Sequence, residues 1–467
     1  MVENKQNSMS GGHLRKELGL FSGVSLVAGM TIGSGIYYLG SYVLERCNMS
    51  MGMALLCWLI GGAVSILGGL CFAELGAEMP VTGGLTTYLS KAYHPMLGFV
   101  NGFSGFLLTC SGSIAALSLA AVTPFAEEFG LSDGAVKLIA VGIIVLFTGV
   151  NLRGVKIAAA VQNFSMVARI VPLVLVIFVG VFFGSQSPEL NPGTAFAAQG
   201  ASPGISGAIK LIGYATFASL WAYEGWTNLN TVAGEMKKPR RDIPLAIIIS
   251  MGAITLIYTL FNLAIYRVIP AQEVNSMIAR GDIYLGTETA YRILGGLGKW
   301  VVLVGMTIGI IGTVNGDCLV FPRTYYAMAR GGYFFKGLGD VNARGVPAKA
   351  ILASSAMSIV LVLFNSLQSL TDWLITVSAL INLLAIIAVL VFRRRFPELE
   401  RPYKVWGGVP VIVLTIICFL VLLVNNFVSD PVTSLKGLAI ILVCIPVYFA
   451  FRRLNGGVEY DTDKIDN

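Results

Sequence analysis

The chain has 467 residues, of which 55% are hydrophobic and only 12% are charged. Soluble globular proteins carry about 25% charged residues, so the composition excludes a soluble enzyme, a disordered chain and a disulfide-rich secreted module. The net charge of +7 is better explained by basic cytoplasmic loops than by nucleic-acid binding. The seven cysteines form no C-x-x-C pair, which argues against a metal site or a disulfide framework. Long apolar runs, rather than alternating ten-residue segments, indicate an all-α polytopic membrane protein and not a β-barrel.

In chain order, the sequence predicts twelve transmembrane helices, because runs of roughly 17 to 25 apolar residues can cross a bilayer. Most Lys and Arg fall in joints that become cytoplasmic if the N-terminus is inside, above all in 237–241 and 393–395. The positive-inside rule then places both termini, 1–17 and 453–467, in the cytoplasm. The predicted spans are 18–44, 52–78, 93–121, 134–151, 158–183, 206–233, 243–268, 298–329, 348–366, 370–392, 408–428 and 434–451.

Two of these spans are predicted to be broken in mid-membrane. The first contains three glycines and two hydroxyl residues within 29–35, and the sixth contains Glu224 followed by Gly225. Irregular backbone at membrane depth is tolerated where it lines a cavity, and matching breaks in two halves indicate a transporter's substrate site. We therefore expect a five-plus-five inverted repeat, 18–183 and 206–392, followed by helices 11 and 12 in 408–452. The alternative for Gly29 and Gly33 is a glycine-mediated helix-packing face.

Five sequence motifs resemble the amino acid–polyamine–organocation superfamily. The first, IGSGI at 32–36, is typical of the superfamily as a whole. The others are similar to its L-amino-acid transporter family, which includes the light chains of heteromeric transporters and their bacterial relatives. These motifs are PVTGG at 80–84, AYHP at 92–95 with GF at 98–99, GEMKKP at 234–239 with IPLA at 243–246, and PELERPYKV at 397–405. The resemblance extends from about residue 14 to 453.

The breaks offer chemistry that suits an α-amino acid. Where span one unwinds, the backbone amides of a half-helix N-terminus can hold a carboxylate, and the carbonyls near Thr31 can accept from an ammonium group. A second set of carbonyls is expected at the span-six break. The resemblance implies the same two contacts. The candidate substrate-binding residues are Thr31, Ile32, Gly33, Ser34, Gly35, Trp221, Ala222 and Glu224.

Two residues of span six carry further hypotheses. Trp221 matches the family's aromatic gate, although it could simply pack in the bundle. Glu224 stands where many relatives have Gly and others have Asp. An intramembrane carboxylate indicates function by default, and four roles are open: pairing with a cationic substrate side chain, carrying a proton, neutralising Arg169, or hydrogen bonding to the broken backbone.

Arg169 falls where the family usually has Lys in span five. Sodium-coupled proteins of this fold hold a cation near that point, so the resemblance implies that a fixed positive charge replaces sodium. The alternative is that Arg169 extends to the cytoplasmic face. In span eight, the family has a stretch similar to Thr313-Val314-Asn315-Gly316, so Thr313 and Asn315 could line the site or brace span one. Asp317 departs from the family and receives no role.

The leading hypothesis is a sodium-independent exchanger of neutral L-amino acids working by alternating access. The alternatives are a cationic amino acid or polyamine exchanger using Glu224 and, in another class, a non-transporting amino-acid sensor, which the short tails disfavour. We expect no catalysis, cofactor or metal, because hydrolase, metal and nucleotide motifs are missing. Light chains bond a glycoprotein through a cysteine after span three, and 122–136 contain none. We therefore expect a stand-alone bacterial plasma-membrane protein.

Overall fold

The computed structural model describes residues 16–197, 204–280, 284–429 and 431–454, and these ranges are mostly helical. Within them, the backbone forms no β-strand beyond one isolated bridge between Leu18 and Met236. The predicted all-α class is confirmed. Residues 1–15 and 455–467, which make up most of the two predicted tails, lie outside the described residues.

The helices of the first half begin with a pair, α1 and α2, that a short break separates. They are α1 (Leu20–Thr31), α2 (Gly35–Arg46), α3 (Met51–Glu78), α4 (Gly84–Ala92), α5 (Pro95–Ser104), a π-helical segment (Gly105–Thr109), α6 (Cys110–Phe129), α7 (Asp133–Leu152), α8 (Val155–Phe183) and the short α9 (Thr194–Ala197).

The second half repeats the pattern of a broken helix followed by long continuous ones. Its elements are α10 (Gly204–Tyr223), a 3-10 segment (Trp226–Glu235), α11 (Pro239–Tyr266), α12 (Ala271–Ala279), α13 (Leu285–Arg330), a 3-10 turn (Lys336–Gly339), α14 (Ala348–Phe364), α15 (Leu367–Arg395), α16 (Gly408–Ser429) and α17 (Pro431–Leu454).

Polar side chains and proline mark where several helices start. The Ser50 hydroxyl accepts from the Met53 amide at the start of α3, and the Ser132 hydroxyl accepts from the Ala135 amide at the start of α7. At α5 the His94 imidazole accepts from the Met96 amide, with Pro95 as the first helical residue. Such caps satisfy amides that have no partner inside the helix.

Each of the twelve predicted segments contains a helix, but not every helix meets a strict criterion for spanning a membrane. Among the described residues, nine helices are long and apolar enough to cross a bilayer, and α1 with α2 makes a tenth if the bent pair is one span. The chain is thus a multi-pass membrane protein. The total of twelve spans remains a prediction.

The packing of the long helices agrees with the expected five-plus-five arrangement. Spans two and seven (α3, α11) pack together, as do spans three and eight (α6, α13) and spans four and nine (α7, α14). In each pair the two spans occupy the same position in their respective halves, as a two-fold relation between the halves requires. The repeats 18–183 and 206–392 therefore stay our proposal, supported by this pairing and by the position of the two breaks.

The predicted cytoplasmic end is held by the carboxylates of span two. Both Glu74 oxygens accept from the Arg393 guanidinium at 2.7 Å, and one also accepts from the Val405 amide at 2.7 Å. Glu78 pairs with Arg401 at 3.1 Å. Burial raises the pKa of Tyr403 in the same loop to about 12, so its phenol stays neutral. The motif at 397–405 thus anchors the loop that follows α15.

Candidate substrate site

The first break lies where the sequence predicts it. Helix α1 ends at Thr31 and α2 begins at Gly35, with axes that differ by 46°. The Gly33 amide donates to the Thr31 carbonyl at 2.8 Å, so in this conformation it is engaged within the break. The amides of Gly35 and Ile36 open α2, where the first N–H groups of a helix have no intrahelical acceptor. This half-helix end is suited to a carboxylate.

The second break packs directly against the first. Helix α10 ends at Tyr223, and Gly225 adopts φ 137° before the 3-10 segment starts. A Cβ atom on Gly225 would lie 2.6 Å from the Thr31 hydroxyl and 2.8 Å from the Met30 carbonyl carbon. Glycine is therefore required here both by the backbone conformation and by the close approach of the two broken helices.

One tyrosine of α11 connects the two breaks. The Tyr258 hydroxyl lies 3.1 Å from the Thr31 carbonyl oxygen and 3.1 Å from the Ala222 carbonyl oxygen. The Thr31 carbonyl, expected to face a substrate ammonium group, thus already accepts from Tyr258 and Gly33. A movement of either broken helix has to rearrange these contacts.

The side chain of Arg169, a residue of α8, is fully buried and contacts the end of α1. Its Nη1 donates to the Gly29 carbonyl, to the Ile32 carbonyl at 2.6 Å and to the Thr313 hydroxyl at 3.1 Å. Its Nε donates to the Ser165 carbonyl at 3.2 Å. The guanidinium therefore donates hydrogen bonds to carbonyl oxygens at the break and does not extend to the cytoplasmic face. Within the described ranges, no carboxylate forms an ion pair with it.

Glycines of α13 make room for this guanidinium. A Cβ on Gly312 would lie 2.5 Å from Arg169 Nη2, and a Cβ on Gly309 would lie 2.9 Å from Arg169 Cβ. Helices α8 and α13 consequently pack closely around the Arg169 side chain.

The two candidates of span eight have different surroundings. Thr313 donates to the Gly29 carbonyl at 2.9 Å and lines the central cavity. Asn315 donates to the Ala158 carbonyl at 3.0 Å and to Gln162 at 3.2 Å, and accepts from Asn151 at 3.2 Å. Thr313 therefore both borders the cavity and braces span one, whereas Asn315 ties α13 to α7 and α8 away from it.

A cavity of about 1080 Å³, part of it open to solvent, lies between the two breaks. Its wall also includes Leu85, Asn101 and Asn228. The predicted site residues that line it are Thr31, Gly33, Ser34, Gly35, Trp221, Glu224 and Thr313. The other predicted site residues, Ile32, Ala222, Arg169 and Asn315, lie behind its wall.

Trp221 and Glu224 both sit on the partition between this cavity and a smaller one beside Trp226 and Phe419. One oxygen of Glu224 accepts from the Asn382 amide at 3.2 Å. Glu224 forms no ion pair with Arg169, so the hypothesis that it neutralises Arg169 has no support in this conformation.

The cavity contains polar residues for which the sequence indicates no role. Asp317 of α13 is 2% exposed and accepts from the Ser113 hydroxyl of α6 at 2.7 Å. Asn382, which holds Glu224, comes from α15 together with Ser378. The sequence signal that could have indicated these residues is a polar side chain inside an apolar span. Ser378 and Asn382 are such residues and lie four positions apart. Asp317 is a second acidic residue in the cavity wall, so Glu224 alone does not determine the charge of the site.

A cavity with polar groups between two broken helices, inside a bundle of membrane-spanning segments, is typical of a membrane transporter. The family model described as amino acid permease matches residues 18–451. The chain therefore belongs to the amino acid permease family, which confirms the resemblance seen in its motifs.

Individual relatives align with this chain over nearly its whole length. The chain is 32% identical to the human b(0,+)-type amino acid transporter 1, over 94% of this chain and 88% of that protein. It is 30% identical to the human Asc-type amino acid transporter 1, over 93% and 82%. It is also 30% identical to the serine/threonine exchanger SteT of Bacillus subtilis (strain 168), over 94% and 98%.

Proposed function

We propose that the protein is a sodium-independent exchanger of neutral L-amino acids that works by alternating access and has no enzymatic activity. Relatives named as amino acid transporters, one of them an exchanger, support the transport of amino acids. The cavity between the breaks supports a site for a small substrate. Under this proposal the substrate carboxylate binds the start of α2 near Ser34 and Gly35, and the ammonium group binds carbonyls at the breaks.

The observation that carries sodium independence is the position of Arg169. Backbone carbonyls freed at a helix break are typical sodium ligands in transporters. Here the Gly29 and Ile32 carbonyls accept from the Arg169 guanidinium, and arginine cannot release its proton in a protein. A fixed cation at the end of α1 therefore supports a transport cycle that needs no bound sodium ion.

The test is uptake of labelled amino acid into proteoliposomes loaded with unlabelled amino acid, without a sodium or proton gradient. We expect uptake that depends on the internal amino acid and is equal in sodium and choline buffers. Strict dependence on sodium would contradict the exchanger proposal. Screening efflux against all twenty amino acids and simple polyamines separates neutral from cationic substrates, and binding without flux would indicate a sensor.

We further propose that the protein acts without a disulfide-linked heavy chain, in a bacterial plasma membrane, with both termini in the cytoplasm. The absence of cysteine in 122–136 supports the first point, and the basic clusters 237–241 and 393–395 support the orientation. Electrophoresis of the native membrane without reducing agent tests the first point: a larger species that disappears on reduction would contradict it.

A further inference from the structure

We infer that Asp317 and Ser113 form a subsite that recognises a hydrogen-bond donor on the side chain of the substrate. This inference rests on the proposed function, because it assumes that an amino acid occupies the cavity. It identifies the substrate class as amino acids with a hydroxyl or ammonium side chain, in preference to apolar ones of the same shape.

The first argument is the unused hydrogen-bonding capacity of Asp317. The two oxygens of a carboxyl group can accept several hydrogen bonds. Within the described part of the chain, Asp317 accepts one, through Oδ2 from Ser113, and it forms no ion pair. A buried carboxylate with one partner is costly in a membrane protein. A donor brought by the substrate reduces that cost.

The second argument is where the pair sits relative to the break. A Cβ on Gly33 would lie 3.8 Å from the Thr313 hydroxyl and 3.8 Å from Leu117 Cδ2. Asp317 and Ser113 lie four residues from Thr313 and Leu117 on the same helices, and one helical turn rises about 5.4 Å. That separation matches the reach of an amino acid side chain whose main-chain groups bind at the break.

The third argument is the charge of the lining. The described cavity wall contains two carboxylates, Glu224 and Asp317, and no Lys, Arg or His. It also presents neutral polar groups from span three, among them Asn101, Ser104 and Thr109. This lining offers acceptors to a side-chain donor and no cation to an acidic side chain, and a buried acceptor left unpaired discriminates strongly against a substrate that lacks the donor.

The experiment compares isosteric substrate pairs in exchange-competent proteoliposomes. The readouts are the kcat/KM ratios of threonine to valine and of lysine to norleucine, which are internal to each variant and independent of the amount of active protein. We expect at least one ratio to be high in the wild type and to fall about tenfold in Asp317→Ala, the loss typical of a hydrogen bond to a charged group. Ser113→Ala should lower the same ratio by a smaller factor.

Two further variants keep the test decisive. Asp317→Asn keeps the shape of the side chain and should also lower the ratio, since a neutral oxygen is a weaker acceptor than a carboxylate. It decides the matter if Asp317→Ala fails to fold. The matched control is Ser118→Ala. Ser118 is on the same helix as Ser113, its hydroxyl donates to the Ile114 carbonyl, and it does not line the cavity. Its ratios should equal those of the wild type.

The outcomes separate this inference from the proposed function. Exchange with wild-type ratios near one, or with ratios unchanged in Asp317→Ala and Asp317→Asn, overturns the subsite and leaves the exchanger intact. A lysine ratio that depends on Asp317 supports the subsite and overturns the neutral preference. Absence of exchange with any amino acid overturns both.

Discussion

The Tyr258 hydroxyl lies 3.1 Å from the carbonyl oxygen of Thr31, the last helical residue before the first break. The same hydroxyl lies 3.1 Å from the Ala222 carbonyl, close to the second break. A tyrosine hydroxyl has a single hydrogen to donate, so the two carbonyls share it. In this conformation the ends of the two broken helices are therefore coupled through one side chain of α11.

We predict that Tyr258→Phe destabilises the protein and slows exchange. The ring is fully buried and keeps its packing, but the Ala222 carbonyl loses this donor, which costs about 1–3 kcal/mol when the site stays dry. Thermal unfolding in detergent and exchange rates in proteoliposomes measure both effects. The control is Tyr93→Phe, whose hydroxyl donates to the Leu384 carbonyl at 2.8 Å away from both breaks. Equal exchange rates in the two variants would show that the bridge has no part in transport.

Gly225 leads to a second prediction, on stability. Alanine at φ 137° is strained, and its Cβ would collide with the Thr31 hydroxyl and the Met30 carbonyl. We expect Gly225→Ala to cost about 1–3 kcal/mol from the backbone alone, with a matching fall in the unfolding temperature. In Gly252→Ala the new Cβ meets nothing within 4 Å in α11, so that control should be neutral or slightly stabilising. An unfolding temperature for Gly225→Ala equal to that of the control would contradict the close approach.

The breaks themselves were predictable because their causes are local. Three glycines in 29–35 and the Glu224-Gly225 pair weaken a helix by composition alone, and the 46° bend and the φ of Gly225 are the result. Long apolar runs located the long helices for the same reason. The number of spans is harder to establish, since α14 has only 17 residues and α10 stops at the second break.

The polar pairs of the site were not predictable, because they form between distant parts of the chain. Ser113 and Asp317 are 204 positions apart, and Glu224 and Asn382 are 158 apart. A polar residue in an apolar span has the same sequence pattern whether it faces a cavity or a neighbouring helix. Thr313 and Asn315 illustrate this, since only Thr313 borders the cavity. Side-chain direction and packing decide between the two environments.

Arg169 leads to a third prediction, on the transport cycle. Removing its guanidinium leaves the Ile32 carbonyl without its charged donor at the end of α1. Because Arg169 lies behind the cavity wall, we expect Arg169→Ala to lower the exchange rate at least about tenfold while substrate affinity changes less. Arg169→Lys should recover part of the rate, since it keeps the charge but not the geometry of the donors.

Exchange kinetics and calorimetric binding in detergent give the rate and the affinity separately. Lys156→Ala, an exposed position on the same helix, serves as the control and should match the wild type. Equal losses of rate and affinity in Arg169→Ala would instead make Arg169 part of the scaffold of the binding site.

The ion pair between Arg323 and Glu235 leads to the fourth prediction. Arg323 Nε lies 2.7 Å from one Glu235 oxygen and Nη2 lies 3.3 Å from the other, and both side chains are fully buried. The pair connects α13 to the end of the 3-10 segment, where the Glu235 carbonyl also accepts from the Leu18 amide at 3.0 Å. Arg323→Ala leaves a buried carboxylate unpaired, which costs about 3–5 kcal/mol.

Arg240→Ala is the matched control for this pair. Arg240 contacts Glu400 at 2.6 Å, but both side chains are more than half exposed, and an exposed pair contributes about 0–1 kcal/mol. Thermal unfolding should therefore show a large loss for Arg323→Ala and a small one for Arg240→Ala. Glu235→Gln combined with Arg323→Met removes both charges and should recover part of the loss, because the unpaired charge rather than the missing attraction dominates the penalty. A double variant no more stable than Arg323→Ala would show that the side chains contribute through packing instead.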